Sequence, residues 1–112
     1  MVTTPITDDR TIAATAALFD LLGDPTRVRL LYALLDDGEL RVGALAERAG
    51  VSESAVSHAL RLLRAANVVS ARREGRTVRY QLEDRHVRDL LQVAREHLEE
   101  DLTPAEVARP TV

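Results

Sequence analysis

The sequence predicts a mainly α-helical domain with one small β-hairpin, and three observations predict it. Over most of the 112 residues, apolar side chains recur every three to four positions, with stop and start signals between the runs. One stretch, Val68 to Leu82, alternates instead around a Glu74-Gly75 turn. The length suits one domain with a modest core and is short for two.

Residues 1–9 read as a flexible arm, because they are polar, contain Thr and Pro and show no periodicity. Ile12, Ala16, Phe19 and Leu22 then recur at helical spacing, and Gly23 is the stop. Asp24-Pro25 opens a second helix: the Asp side chain accepts orphan amide protons, and proline at the first helical position loses no hydrogen bond. Val28, Leu31, Leu34 and Leu35 form its apolar stripe, and Asp36-Asp37-Gly38 closes it. The third helix starts near Arg41 or Val42, buries Leu45, Ala46 and Ala49, and ends at Gly50. Val51-Ser52 leads into a fourth, running to about Ala66. Ala46, Gly50 and Val56 supply the small residue, the turn residue and the aliphatic plug that a helix-turn-helix needs.

Val78, Tyr80 and Leu82 alternate with Thr77, Arg79 and Gln81, which makes the next segment a two-stranded wing. Glu83 to about Asp101 is a final long helix whose apolar residues, Val87, Leu90, Leu91, Val93, Ala94 and Leu98, exceed what one monomer requires. It is a candidate homodimer seam, the competing reading being a simple core helix. Residues 10–101 are the winged helix-turn-helix domain and 102–112 a tail, in which Thr103-Pro104-Ala105-Glu106 is a capping box.

The net charge of -3 argues against nucleic-acid binding until its distribution is considered. Arg61, Arg64, Arg72, Arg73, Arg76 and Arg79 stand against one carboxylate, Glu74, between Ser54 and Tyr80. Arg72, Arg73 and Arg76 surround the wing turn, where guanidinium groups meet a phosphate backbone or a narrow minor groove, or else only protect a strand edge. Ser54, Ser57, His58 and Arg61 on the fourth helix are the residues expected to reach bases or phosphates, with Arg64 behind them. The expected partner is double-stranded operator DNA.

No cysteine is present, so disulfides and thiolate metal sites are excluded. No apolar run approaches a membrane span and the first ten residues lack a signal-peptide core, so a soluble, cytoplasmic bacterial protein is expected. Without an H-E-x-x-H pair, nucleophile elbow or phosphate loop, no enzyme is expected either.

Asp84, His86, His97 and Glu100 carry oxygen and nitrogen donors for a divalent transition metal. His86 and His97 fall on one helical face roughly 16 Å apart, so a single helix cannot close the site. Two copies packed antiparallel about a twofold axis near Leu91 or Gln92 bring Asp84 and His86 of one to His97 and Glu100 of the other. Two nitrogens and two carboxylates suit tetrahedral Zn(II), with Co(II) or Ni(II) as further candidates.

Leu22-Gly23-Asp24-Pro25-Thr26-Arg27, Val51-Ser52-Glu53-Ser54-Ala55-Val56-Ser57-His58 and Glu74-Gly75-Arg76 together resemble the ArsR/SmtB family of metal-sensing repressors, most closely its SmtB-like zinc sensors. The resemblance runs from roughly Leu18 to Glu100. It implies an apo homodimer that holds operator DNA and is released when metal binds the four last-helix ligands. It also implies a relay in which metal-bound His97 donates its other ring proton to the backbone carbonyl of His58. The family's cysteine site at the start of the third helix would fall on Glu39-Leu40-Arg41-Val42-Gly43, where this chain has no cysteine. The alternative is a winged-helix regulator answering a nonmetal signal.

Overall fold

The computed structural model describes residues 7–101. They form α1 (Asp9–Leu22), α2 (Pro25–Asp37), α3 (Val42–Ala49), α4 (Glu53–Ala65), β1 (Val69–Glu74), β2 (Thr77–Leu82) and α5 (Arg85–Asp101). Most of the expected arm and the whole tail, with its capping box, lie outside the described residues.

Except at α3, where Arg41 makes no side-chain cap, the helices begin where a side chain takes up an orphan amide. Asp8 accepts from the Thr11 amide at 2.7 Å, Asp24 from Arg27 at 3.0 Å, and Ser52 from Ala55 at 3.0 Å. Between α3 and α4 the Gly50 and Val51 amides both donate to the Ala46 carbonyl, at 2.9 and 3.1 Å, which needs the left-handed Gly50 φ of 67°. A Cβ at Gly50 would meet nothing within 4 Å, so Gly50→Ala isolates the backbone cost. It should lower stability by about 1 kcal/mol, read as a fall in the urea midpoint at unchanged slope. An unchanged midpoint would mean that the turn does not hold this residue left-handed.

The core lies between α2, α3 and α4. Leu30, Leu31 and Leu34 meet Leu45 of α3 and Val56, Leu60 and Leu63 of α4, and every buried residue among those described is apolar. Each such side chain contributes about 1.5–3 kcal/mol through burial. Val68, Val69 and Leu82 anchor the hairpin root to this core, and Val87 and Leu91 anchor α5.

The hairpin runs in register from Val69 opposite Leu82 to Glu74 opposite Thr77, and Gly75 turns it with a φ of 62°. Leu40 adds a short bridge: its amide donates to the Tyr80 carbonyl at 3.0 Å and the Tyr80 amide donates back at 2.8 Å. The wing is therefore tied to the α2–α3 connection. α5 starts two residues after Glu83, because the Glu83 and Asp84 amides both donate to the Val68 carbonyl, at 2.9 and 3.3 Å, and Asp84 becomes the cap. In α1 only Leu22 is buried, and Ile12 and Phe19 are 55% and 57% exposed. Their helical spacing marks a second apolar face, turned away from the core.

Candidate nucleic-acid interface and metal face

α4 presents Val56, Ala59, Leu60 and Leu63 to the core. At about 100° per residue, Ser54, His58 and Arg61 fall on the opposite side, and all three are exposed. Ser57 and Arg64 lie on the flank beside the hairpin. The gap closed by Gly50 sets α4 against α3 through Ala46 and Val56, which is how a turn of three residues aims this exposed face outward.

The arginines divide into two groups. Arg61, Arg64, Arg73 and Arg76 form no ion pair or side-chain hydrogen bond among the described residues, which leaves four guanidinium groups for an external anion. Arg72 is committed. Its Nε and Nη2 donate to Glu39 at 3.0 and 2.7 Å and its Nη1 donates to Glu74 at 2.9 Å. These hydrogen bonds hold the Glu39 carboxyl below the usual carboxylate range and push Arg72 further into its charged form. Arg79 also approaches Glu74, at 3.8 Å. A phosphate reaching Arg72 must compete with two carboxylates, so this side chain acts first as a strut between the wing and the α2–α3 connection. Glu39 itself is occupied by that strut.

On α5 the candidate ligands are set out along one stripe. Measured from His86 at about 100° per residue, Leu90, Val93, His97 and Glu100 all fall within about 40° of it, while Val87 and Leu91 turn toward the core. His86 has a side chain 84% exposed, Val93 is 61% exposed, and His97 and Glu100 are exposed as well. Asp84 precedes the helix and has a structural duty: its Oδ1 accepts from the His86 and Val87 amides at 2.9 and 3.2 Å. The same oxygen is 3.8 Å from His86 Nδ1, so these two residues are brought together within one chain. His97 and Glu100 sit three to four turns away. Among the described residues no group of three or more His, Cys, Asp or Glu side chains gathers in a single chain.

α5 is fastened to α2 at its midpoint. The Tyr32 hydroxyl donates to the Leu91 carbonyl at 3.1 Å, Arg95 forks onto both oxygens of Asp36 at 3.0 and 2.9 Å, and the Arg95 guanidinium stacks 4.9 Å from the centre of the Tyr32 ring. Arg95 holds the Asp36 carboxyl below the usual range, and burial pushes the Tyr32 phenol up. The ion pair is half exposed, so it sets the orientation of α5 more than it adds stability. Tyr32, Asp36 and Arg95 escaped the sequence, since partners 59 residues apart leave no local signal; Glu39 and Arg72, 33 apart, escaped likewise. No helix among the described residues is long and apolar enough to cross a membrane.

Residues 24–71 match the family model described as bacterial regulatory protein, arsR family. Over 85 residues the chain is 49% identical to the transcriptional repressor SmtB homolog of Synechocystis sp., a match covering 76% of this chain and 64% of that one, just under two thirds of its length. Over 92 residues it is 41% identical to the HTH-type transcriptional regulator NmtR of Mycobacterium tuberculosis, covering 82% and 76%. Among solved structures, the homodimeric winged helix-turn-helix DNA-binding domain Mb0332 of Mycobacterium bovis, a possible ArsR-family regulator, superposes with a TM-score of 0.75 at 26% identity, covering 92% and 94%.

Proposed function

The chain belongs to the arsR family of bacterial regulatory proteins, and from that premise we propose that it is a homodimeric, metal-responsive transcriptional repressor. The observation that carries this reading is the α5 stripe: an exposed apolar stretch, Leu90 and Val93, bounded by His86 at one end and His97 and Glu100 at the other. In an antiparallel pairing, the midpoint of each ligand pair falls at Leu91–Gln92. That same axis sets Val93 of one copy against Leu90 of the other, so the twofold that matches the ligands also matches the apolar residues. Ile12 and Phe19 of α1 offer further exposed apolar surface for the seam.

The donor set fits zinc, with cobalt or nickel as alternatives: two imidazoles, two carboxylates and no thiolate anywhere in the chain. When bound, such an ion supplies a cross-link whose ligands are Asp84 and His86 of one copy and His97 and Glu100 of the other. Asp84 keeps Oδ1 on the helix amides and offers Oδ2. With one ring nitrogen on the metal, His97 would donate from the other to the backbone carbonyl of His58, the relay that the family resemblance implies. The Tyr32–Leu91 and Arg95–Asp36 contacts transmit any shift of α5 to α2, and thus to the helices packed on it. In the metal-free dimer Ser54 and His58 address the major groove of a double-stranded operator, with Ser57, Arg61, Arg64, Arg73 and Arg76 on the backbone. Arg72 joins them only by leaving Glu39.

The reading requires metal and DNA to oppose one another by one and the same factor, in the range of about 5–150-fold. The test selects a duplex with metal-free protein from a random library. Zinc affinity is then measured with and without that duplex, and duplex affinity with and without zinc. Equal zinc affinity in both states would sink the metal-responsive reading and favour a nonmetal signal.

A further inference from the structure

We propose that the cleft between α4 and the wing seats one backbone phosphate, held jointly by Arg61 and Arg64, with Tyr80 as a further contact residue. The proposal deepens the DNA-binding reading and rests on it. The cleft has a volume of about 510 Å³ and is lined by Ser57, Leu60, Arg61, Arg64, Ala65 and Tyr80. Ser57, Leu60, Arg61 and Arg64 occur at steps of three, one and three residues, which puts them on one flank of α4.

Its charge is of one sign. No carboxylate lines it, and neither arginine has an ion-pair partner among the described residues. Elsewhere on this acidic chain Arg48, Arg72 and Arg95 have each found a carboxylate. Two guanidinium groups left side by side repel, and a shared anion removes that repulsion while accepting from both forks. The Ser57 and Tyr80 hydroxyls add two neutral donors. The far wall is fixed in advance, because the Tyr80 backbone exchanges hydrogen bonds of 2.8 and 3.0 Å with Leu40. A larger cleft of about 1000 Å³ beside α3 also contains arginines, Arg41 and Arg76, but Glu47 and Glu53 line it too and make it a poor seat for phosphate.

The experiment measures binding of the full chain to a 30-base-pair duplex by fluorescence anisotropy between 50 and 200 mM KCl. Wild type, Arg61→Gln, Arg64→Gln, the double variant and Tyr80→Phe are compared. Each phosphate contact contributes about 0.9 to the slope of log affinity against log salt. The dimer presents two such clefts, so with one shared phosphate in each, either single variant keeps most of the slope and the double variant loses about 1.8. A loss of about 3.6 in the double variant, with half of it in each single, would mean two separate phosphates in each cleft and overturn the shared seat. No loss would overturn the cleft altogether. Tyr80→Phe should weaken binding about threefold or more at unchanged slope, and unchanged affinity would remove Tyr80 from the site. If the wild type binds no duplex, the DNA reading has failed, and inorganic phosphate is titrated while the Arg61 and Arg64 Nε–H signals are followed by NMR. Saturable shifts would then keep the cleft as a phosphate site of another source, and their absence would overturn it.

Discussion

His97→Ala should abolish the response to zinc and leave metal-free DNA binding intact. The substitution removes one of only two imidazoles in each proposed site, and a site built on nitrogen and oxygen alone has no thiolate to compensate. Metal affinity should fall by at least about 100-fold, since even partners one shell further out are worth 10–100-fold. The fold should not notice, because His97 is exposed on α5, and surface changes of this kind stay within about 0.5 kcal/mol. Nor should the reading head, which lies on α4. Asp84 would be a poorer choice for the same test: it caps α5, and its removal costs about 1 kcal/mol of helix stability besides a metal ligand. The measurement is a Co(II) titration followed by visible absorption, beside DNA anisotropy with and without zinc. Intense tetrahedral bands saturating at one metal per protomer in the wild type and missing in the variant are the expected result. A variant still released from DNA by zinc would overturn the ligand assignment.

The fold was written in the sequence wherever a local rule governs. Asp24-Pro25, Ser52, Gly38 and Gly50 act within a few residues of themselves, and the helix limits follow them closely. The hairpin was equally legible from Gly75 and the alternation that follows it. What escaped depends on pairs that meet only after folding. In sequence Arg72 reads with its neighbours as a phosphate contact, because nothing near it announces Glu39. Asp84 reads as a candidate ligand, and its cap duty shows only in the structure, where the Val68 carbonyl draws the Glu83 and Asp84 amides out of the helix. For the α5 face the periodicity revealed surplus apolar residues, and only burial separated the exposed Leu90 and Val93 from the buried Val87 and Leu91.

Val93→Lys should convert the dimer to a monomer and remove the metal sites without touching a ligand. Val93 is 61% exposed in the single chain, so nothing in the fold depends on it. Asp89, four residues earlier on the same helix, even offers the new ammonium group a favourable pair worth a few tenths of a kcal/mol. In the antiparallel dimer the residue lies beside the twofold axis against an apolar partner. Two ammonium groups would be drawn from water there and set near one another, at about 3 kcal/mol or more, which weakens association by at least about 100-fold. Sedimentation equilibrium should show a folded monomer, and cobalt should give only weak octahedral bands, because each site has lost the ligands that a second copy supplies. His97→Ala gives the complementary result, a dimer without metal. A Val93→Lys protein that remained dimeric with full tetrahedral cobalt bands would place the seam off this stripe. The twofold axis at Leu91–Gln92, and with it the pairing of the four ligands across two chains, would then be wrong.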